Sequence, residues 1–345
     1  MEYNYSNNKN VLTTLSKLAI IPLIILIIIL MVKFKITLNT RTLANFSAIF
    51  ISIVLEAMPF IFIGSLISSL IQIFVSEQTI ARILPRNPFL ALLCASLLGI
   101  FLPICECGII PIAKKLIKKG VPVGVATTFM ISTPIINPIV LLSTYYAFGG
   151  NLKILSARAI LGIIASIIIG SLITIINKSK TDILKETDFN DDDFCGCGVS
   201  HNTSKKNQSK ISLLLDTLTS EFLDISKYLI FGAMLSATFQ VLVSRSSLNY
   251  LANNLFLSVI AMVFLAFILS VCSEADAFIA ASFIGQFTTG SILAFLIFGP
   301  MLDIKNTLML IGGYKRTYVI PLILCIVIIC SLIGFGLNLI GFKVI

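Results

Sequence analysis

Long apolar stretches separated by short polar segments run through almost the whole chain. A helix that spans a bilayer needs about 20 apolar residues, so each long stretch is a candidate transmembrane segment. Nine such stretches lie at residues 18–36, 46–75, 88–113, 122–148, 153–176, 218–243, 252–284, 288–312 and 318–341. Because lipid offers the backbone no hydrogen-bond partner, each stretch is predicted to be helical. The pattern predicts an all-α polytopic membrane protein with about nine transmembrane segments.

The composition supports this class. Of the 345 residues, 57% are hydrophobic and 12% are charged, whereas soluble domains contain about 25% charged residues. The first apolar run, Leu18–Val32, has no small-residue cleavage site after it, and Lys33 and Lys35 follow directly. We therefore expect this run to remain as an uncleaved N-terminal anchor helix.

The net charge of +9 comes from basic residues in the segments between the apolar stretches. That placement excludes nucleic-acid binding and is typical of the positive-inside rule. Basic residues are concentrated after the first, third and fifth stretches, which share one side in a nine-helix topology. The sequence therefore predicts a multi-pass protein of the bacterial inner membrane, with its N-terminus outside and its C-terminus in the cytoplasm.

Residues 178–216 interrupt the apolar pattern with a polar segment that is too poor in apolar residues to form a core. We expect it to be a cytoplasmic linker. It contains Cys195, Cys197 and His201, which form an incomplete candidate site for a soft metal ion. The linker divides the chain into an N-terminal tail and anchor at 1–44, a first permease repeat at 45–177 and a second at 217–345.

The two halves resemble each other at their scarce polar positions. A shift of 168 residues matches Glu56 with Asp224, Gly64 with Gly232, Ser68 with Ser236, Gln72 with Gln240 and Glu106 with Glu274. A shift of 166 residues matches Pro134 with Pro300 and Asn137 with Asp303. Four spans in each half predict parallel repeats about an axis along the membrane normal. A re-entrant segment in each half would instead make the repeats inverted.

The sequence PICECGIIP at 103–111 lies inside the third apolar stretch. Proline lacks a backbone donor and glycine is permissive, so this segment predicts a broken helix that lines a cavity or is buried in protein. Cys105 and Cys107 offer two soft sulfurs to a thiophilic metal or metalloid, although a buried cysteine also serves as a small apolar filler.

Glu106, between those thiols, is a candidate proton carrier. A charge at the bilayer centre costs at least about 2.5–3.5 kcal/mol, so intramembrane acids are functional by default, and the alternative is an acid paired for packing. Its match in the second half is Glu274, within CSEAD at 272–276, a segment that also contains Asp276.

Two further apolar stretches carry helix breakers. The sequence STPIINP at 132–138 contains two prolines four residues apart, which cannot both lie in an undisturbed helix. Its counterpart is GPMLDIKN at 299–306, with two charged residues. Four discontinuous segments in matching places predict a substrate site at the interface of the halves. The expected site residues are Cys105, Glu106, Cys107, Thr133, Pro134, Asn137, Glu274, Asp276, Asp303 and Lys305.

These motifs resemble the bacterial predicted-permease family, whose best-known branch is the ArsP-type organoarsenical efflux permeases. The resemblance covers residues 45–341 and rests on PICECG at 103–108, TPIINP at 133–138, SEAD at 273–276 and GPMLDIKN at 299–306. It implies a permease that exports a small solute, with trivalent organoarsenicals as the substrate of at least one branch.

The leading hypothesis is a secondary transporter, a proton antiporter with Glu106 and Glu274 as coupling acids. No G-x-x-x-x-G-K-[ST] phosphate loop is present, so we do not expect ATP hydrolysis by this chain. The alternatives are an intramembrane thiol oxidoreductase that uses Cys105 and Cys107, and a membrane subunit that anchors a partner protein through its linker. No cofactor is expected; the expected partners are the lipid bilayer, a small-molecule or metalloid substrate, and protons.

Overall fold

The structure is a computed structural model that describes residues 40–74, 85, 87–101, 104–177, 183–184, 210–242 and 254–342. Within these ranges the chain forms twelve α-helices and no β-strand, which confirms the predicted all-helical class. In chain order they are α1 Thr40–Phe74, α2 Pro88–Leu97, α3 Glu106–Lys118, α4 Val123–Ile136, α5 Pro138–Ala147, α6 Leu152–Ile176, α7 Lys210–Leu242, α8 Leu255–Leu269, α9 Asp276–Ala281, α10 Thr289–Met301, α11 Ile304–Gly313 and α12 Arg316–Leu339.

Six helical segments in the described part of the chain are long and apolar enough to cross a membrane. They are Leu43–Ile73, Val123–Ala147, Leu152–Ile176, Leu214–Val241, Thr289–Gly313 and Arg316–Leu339. They correspond to six of the nine predicted stretches, and the stretch 18–36 lies outside the described residues. The other two stretches, 88–113 and 252–284, each form two short helices instead of one long one.

The first short pair, α2 and α3, is called hairpin 1. Gly99, just after α2, lies against Thr133 near the end of α4. The first arm of hairpin 1, α2, packs along α4 and not along α5. Because the end of α2 lies near the end of α4, the two helices run in the same direction. The second arm, α3, then returns to the start of α4 through a turn that ends at Pro122. An apolar run of this length fits either one full span or two half-length arms, so apolar length, from which one span was predicted, does not distinguish them.

The break in hairpin 1 lies before Glu106. Cys105 is extended, with φ −79° and ψ 173°, and Glu106 is the first residue of α3. Gly108 and Pro111, which the sequence suggested as part of the break, lie inside α3. Pro111 is the sixth residue of α3, beyond the four N-terminal N–H groups that lack a helical partner, so it removes the helical donor of the Cys107 carbonyl.

The second short pair, α8 and α9, is called hairpin 2. Its first arm begins beside the end of α12, where Val259 packs against Gly334. The arm ends at Ser270, a left-handed residue with φ 48°. The Ser270 hydroxyl accepts a hydrogen bond from the amide of Lys305, at 3.3 Å. Hairpin 2 therefore turns back at the level of the junction between α10 and α11.

The two longest helices, α1 and α7, pack against each other in opposite directions. Gln72 near the end of α1 and Glu221 in the first part of α7 both contact the ammonium group of Lys115, at 2.6 and 2.8 Å. The return arm of hairpin 1 follows α1, and Gly64 lies directly against Gly108. A side chain at either glycine would meet backbone atoms, so this close approach requires glycine.

The interrupted helices form the centre of the molecule. Every residue from Gly124 to Asn137 and from Gly290 to Asn306 is buried, whereas the other long helices expose many apolar side chains on one face. In a membrane protein such an exposed apolar face contacts lipid. The core therefore lies around α4 and α10, where the predicted site residues are also found.

Part of the predicted linker 178–216 is helical, because α7 begins at Lys210. Near its other end, the carbonyl of Ile183 accepts a hydrogen bond from the amide of Lys315, at 2.8 Å. The candidate metal ligands Cys195, Cys197 and His201 lie outside the described residues and stay a prediction.

Candidate functional site

The site is built where four helices begin. α3 starts at Glu106 and α9 at Asp276, at the turns of the two hairpins. α5 starts after Asn137 and α11 after Asp303, at the breaks in the two central helices. The N-terminus of a helix carries unpaired N–H groups and a partial positive charge. An acid or an amide at each of these four positions complements that charge.

The two breaks in the central helices have a local cause. The proline at 138 cannot continue α4, and the Asn137 side chain caps α5 by accepting from the amide of Ile139, at 3.0 Å. In the second half, Asp303 caps α11 by accepting from the amide of Asn306, at 2.6 Å. Both breaks were predicted from the sequence, and both lie at the residues matched by the shift of 166.

The first charge cluster joins hairpin 1 to α11. One carboxylate oxygen of Glu106 lies 3.8 Å from the ammonium group of Lys305, which also lies 3.5 Å from Asp303 Oδ2. The other oxygen of Glu106 accepts a hydrogen bond from the hydroxyl of Ser273, at 3.1 Å, in the turn of hairpin 2. Glu106 therefore links the turns of the two hairpins.

The second charge cluster joins hairpin 2 to α6. Arg158 donates to Asp276 Oδ2 at 2.9 Å, to the hydroxyl of Thr144 at 2.6 Å and to the carbonyl of Ser273 at 3.4 Å. Arg158 is fully buried. Because Ser273 bonds to both Glu106 and Arg158, the two clusters form one continuous polar network.

Three buried thiols lie beside this network. Cys105 and Cys107 contact each other, since the extended backbone at Cys105 removes the angle of about 200° that a regular helix would set between them. Cys272 lies in the turn of hairpin 2, and all three are free thiols. In the described part of the chain, no three His, Cys, Asp or Glu side chains are arranged to hold a metal ion.

The structure brings Glu106, Asp276, Asp303 and Lys305 into the network. Asn137 is buried beside it as the cap of α5, Pro134 lies in the last turn of α4, and Thr133 bonds its own helix by donating to the carbonyl of Phe129, at 2.6 Å. Glu274 is half-buried at the turn of hairpin 2. Within the described residues, no hydrogen bond or ion pair joins Glu274 to the network.

Sequence reasoning missed Arg158, Thr144 and Ser273. Basic residues were expected between the apolar stretches, but Arg158 lies in the second turn of α6 with no exposed surface. Its signal was present in the sequence, since a basic residue inside an apolar stretch requires an acidic partner. Ser273 and Thr144 carried no comparable signal, because hydroxyl side chains in membrane helices commonly bond their own helix.

Comparison with known proteins places this site in a family. The model of a family described as "Predicted permease" matches residues 42–339, which include every element of the network. The chain belongs to the predicted permease family. It is 45% identical over 283 residues to UPF0718 protein YcgR of Bacillus subtilis (strain 168), which covers 82% of this chain and 93% of that protein.

Another member of the predicted permease family comes from Streptococcus mutans serotype c and is named a putative two-component membrane permease complex subunit. It is 36% identical over 291 residues, covering 83% of this chain and 94% of that protein. A shorter match, 35% identical over 85 residues, links this chain to UPF0718 protein MJ0584 of Methanocaldococcus jannaschii, with 25% of this chain and 23% of that protein covered. No solved structure matches the chain.

Proposed function

We propose that this member of the predicted permease family moves a small solute through the centre of the molecule, between the two hairpin turns. The observation that carries the proposal is the continuous network of Glu106, Lys305, Ser273, Arg158 and Asp276. Buried ionisable groups inside a membrane protein are costly and typically mark a substrate or ion pathway. Interrupted helices around them supply backbone groups that can face a solute.

The proposed architecture is a pair of inverted halves, 45–177 and 217–345. Three features favour it over the parallel repeat expected from four spans per half. α1 and α7 run in opposite directions, and each half contains one short helical hairpin. Hairpin 1 returns to the start of α4, whereas hairpin 2 begins beside the end of α12. With two re-entrant hairpins, each half crosses the bilayer three times, an odd number that inverts the second half.

The proposed topology follows from this arrangement. The end of α6, the start of α7 and the junction of α11 and α12 share one face, which carries Lys118, Lys119 and Arg316. The positive-inside rule assigns that face and the linker to the cytoplasm of a bacterial inner membrane. Six crossings then put the end of α12 outside, in place of the cytoplasmic C-terminus expected from nine spans. The N-terminal orientation depends on 18–36, outside the described residues.

The proposed transport is secondary-active efflux coupled to protons, with Glu106 as the main coupling acid and Glu274 as a second. A trivalent organoarsenical or another thiophilic metalloid is the substrate class to test first, because the thiols of Cys107 and Cys272 lie near Glu106 and Cys105 contacts Cys107. A thiophilic species can bond to two or three thiols without a preformed site of carboxylates and imidazoles.

A second subunit is part of the proposal. The Streptococcus mutans relative is named as a subunit of a two-component membrane permease complex. We propose that this chain also assembles with a second protein and that the linker 178–216 contributes to that contact. Co-purification of the chain and of a variant that lacks 186–209 from its native membrane, followed by mass spectrometry, tests this. A partner retained equally by both would rule out the linker as the docking segment.

The transport experiment uses everted membrane vesicles and follows accumulation of trivalent methyl- and phenyl-arsenicals. The parent is compared with Glu106→Gln, with Cys105→Ser/Cys107→Ser, and with the control Asp224→Asn, which removes a partly exposed acid on α7. Uptake that is lost in Glu106→Gln and kept in Asp224→Asn would support the proposed site. Uptake that survives an uncoupler would contradict proton coupling, and no uptake by a correctly inserted parent would remove the arsenical substrate.

A further inference from the structure

The buried charges at the centre do not balance. Among the described residues, the network contains three acids and two bases that are each at most 3% exposed: Glu106, Asp276, Asp303, Arg158 and Lys305. One carboxylate is therefore in excess when all five are ionised. An uncompensated charge in the interior is strongly destabilising, so a positive charge must join the network or one acid must be neutral.

The two bases are held very differently. Arg158 makes short, directed bonds to Asp276 and Thr144, at 2.9 and 2.6 Å. The ammonium group of Lys305 lies 3.8 Å from Glu106 and 3.5 Å from Asp303, and so forms a short bond to neither. Charge-assisted N–H···O bonds are normally about 2.7–2.9 Å long. The ammonium group therefore occupies a space between two carboxylates that is wider than it needs.

Among the described residues, three oxygen acceptors at the break between α10 and α11 lack a hydrogen-bond donor of the usual kind, although Asp303 Oδ2 keeps its 3.5 Å contact with Lys305. Asp303 Oδ2 and Asn306 Oδ1 accept no hydrogen bond in the described part of the chain, although both residues are at most 3% exposed. The carbonyl of Met301 also loses its helical donor, because the amide of Lys305 bonds to Ser270 instead. These groups are acceptors, and an amide oxygen such as that of Asn306 is not protonated at ordinary pH. A proton would bind only the carboxylate, whereas one metal cation can be coordinated by carboxylate, amide and backbone oxygens together.

We propose that the break between α10 and α11 holds a hard monovalent cation such as Na⁺, in exchange with the ammonium group of Lys305. The ligands are Asp303 Oδ2, Asn306 Oδ1 and the Met301 carbonyl, with Glu106 nearby. Monovalent cations bind to oxygen, often from unwound backbone and the C-terminal ends of half-helices in transporters. A softer or divalent ion would call for several His, Cys or carboxylate ligands, which no cluster in the described residues supplies.

Lysine is suited to this exchange. Its ammonium group is a compact point charge on a flexible stem, so it can leave the carboxylates and return. When the cation binds, Lys305 is displaced from Asp303 and its charge becomes available to Glu106. When the cation leaves, Lys305 resumes its place. The site's role in driving transport rests on the proposed function, but binding itself does not.

Binding is tested on the purified full chain in detergent by thermal unfolding. The chain has eight cysteines and no tryptophan, so a thiol-reactive fluorogenic dye reports exposure of the buried thiols. NaCl replaces choline chloride at constant ionic strength and pH, with LiCl and KCl as parallel series. We expect a saturable rise in the unfolding temperature with NaCl, because a ligand that binds only the folded state stabilises it.

The decisive variant is Lys305→Met, which removes the competing ammonium group. We expect its half-saturating NaCl concentration to fall by about tenfold or more, equivalent to about 1.4 kcal/mol. Lys115→Met removes another buried lysine from the opposite end of α3 and should leave the half-saturating concentration unchanged. Asp303→Asn should abolish the rise in unfolding temperature with NaCl. If Asp303→Asn does not fold, Asn306→Ala is used in its place.

Three results would overturn the proposed site. They are no NaCl-specific shift in either the parent or Lys305→Met, an equal half-saturating concentration in Lys305→Met and Lys115→Met, and stabilisation that follows pH but not NaCl. A specific shift without transport of any solute tested would leave the site standing and remove the proposed function. Transport without a NaCl-specific shift in unfolding temperature would leave the proposed function standing and remove the cation site.

Discussion

The ion pair between Arg158 and Asp276 should be the most sensitive single contact for stability. Arg158 is fully buried and lies 2.9 Å from Asp276, which is 3% exposed. Replacing Arg158 with methionine would leave a buried carboxylate without its partner, and breaking a buried pair in this way costs about 3–5 kcal/mol. The lost bond to the hydroxyl of Thr144 at 2.6 Å adds to this cost.

A matched control is provided by the pair of Lys227 and Asp224 on α7. Its length is nearly the same, 2.8 Å, but its side chains are 65% and 41% exposed. Exposed pairs contribute about 0.2–1 kcal/mol, so Lys227→Met should cost no more than that. If burial and not distance determines how much an ion pair contributes, the losses in unfolding free energy of Arg158→Met and Lys227→Met will differ by at least about 2 kcal/mol.

The assay is equilibrium unfolding of the purified protein in mixed micelles, followed by far-ultraviolet circular dichroism. The double variant Arg158→Met/Asp276→Asn removes both charges, and we expect it to be more stable than Arg158→Met alone because no buried charge remains unpaired. A double-mutant cycle then gives the coupling between the two side chains. A loss in Arg158→Met no larger than in Lys227→Met, or strict additivity in the cycle, would refute this account of the network.

Two further predictions concern packing between helices. Gly64→Ala should destabilise the protein by about 1–3 kcal/mol, since a methyl group would meet the backbone of Gly108, whereas Gly336→Ala on α12 faces open space and should not; equal unfolding midpoints would contradict this. Tyr318→Phe removes a hydrogen bond of 2.8 Å to the hydroxyl of Thr127, and should cost about 0.5–1.5 kcal/mol in the same assay. No loss would mean that the bond is replaced within the core.

The breaks in the two central helices were predictable because their cause is local. Pro138 has no N–H to continue α4 and takes the first position of α5, where its fixed φ suits a helix start. Pro300 lies inside α10, one residue before its end, and the second break follows at Leu302 and Asp303. The capping residues Asn137 and Asp303 follow from the same local chemistry. Asn137 and Asp303 are also scarce polar residues in apolar stretches, so both breaks and their capping residues were predictable from the sequence.

The hairpins were not predictable by the same means. The stretches 88–113 and 252–284 are long apolar runs like those of the six candidate spans, and hydropathy depends on length and composition only. Whether such a stretch crosses or turns back is decided by its neighbours, here the packing of α2 along α4 and of α8 beside α12. The same limitation hid the partner of Asp276, because no local signal connects it with Arg158 across 118 positions.

The hairpin turns change the alignment of the two halves of the chain, and the new alignment bears on how the halves could move against each other. The shift of 168 paired Glu106 with Glu274, but the acid that begins the return arm of hairpin 2, as Glu106 does in hairpin 1, is Asp276. Each of these two acids faces a base from the other half of the chain: Glu106 faces Lys305, and Asp276 faces Arg158. In the proposed transport cycle, any movement of one half against the other must therefore separate a buried ion pair. That separation is costly unless a proton, an ion or the solute itself compensates the exposed charge. The pair with the longer separation, at Lys305, is the one at which such compensation is easiest, and it is also the pair that lies beside the three thiols.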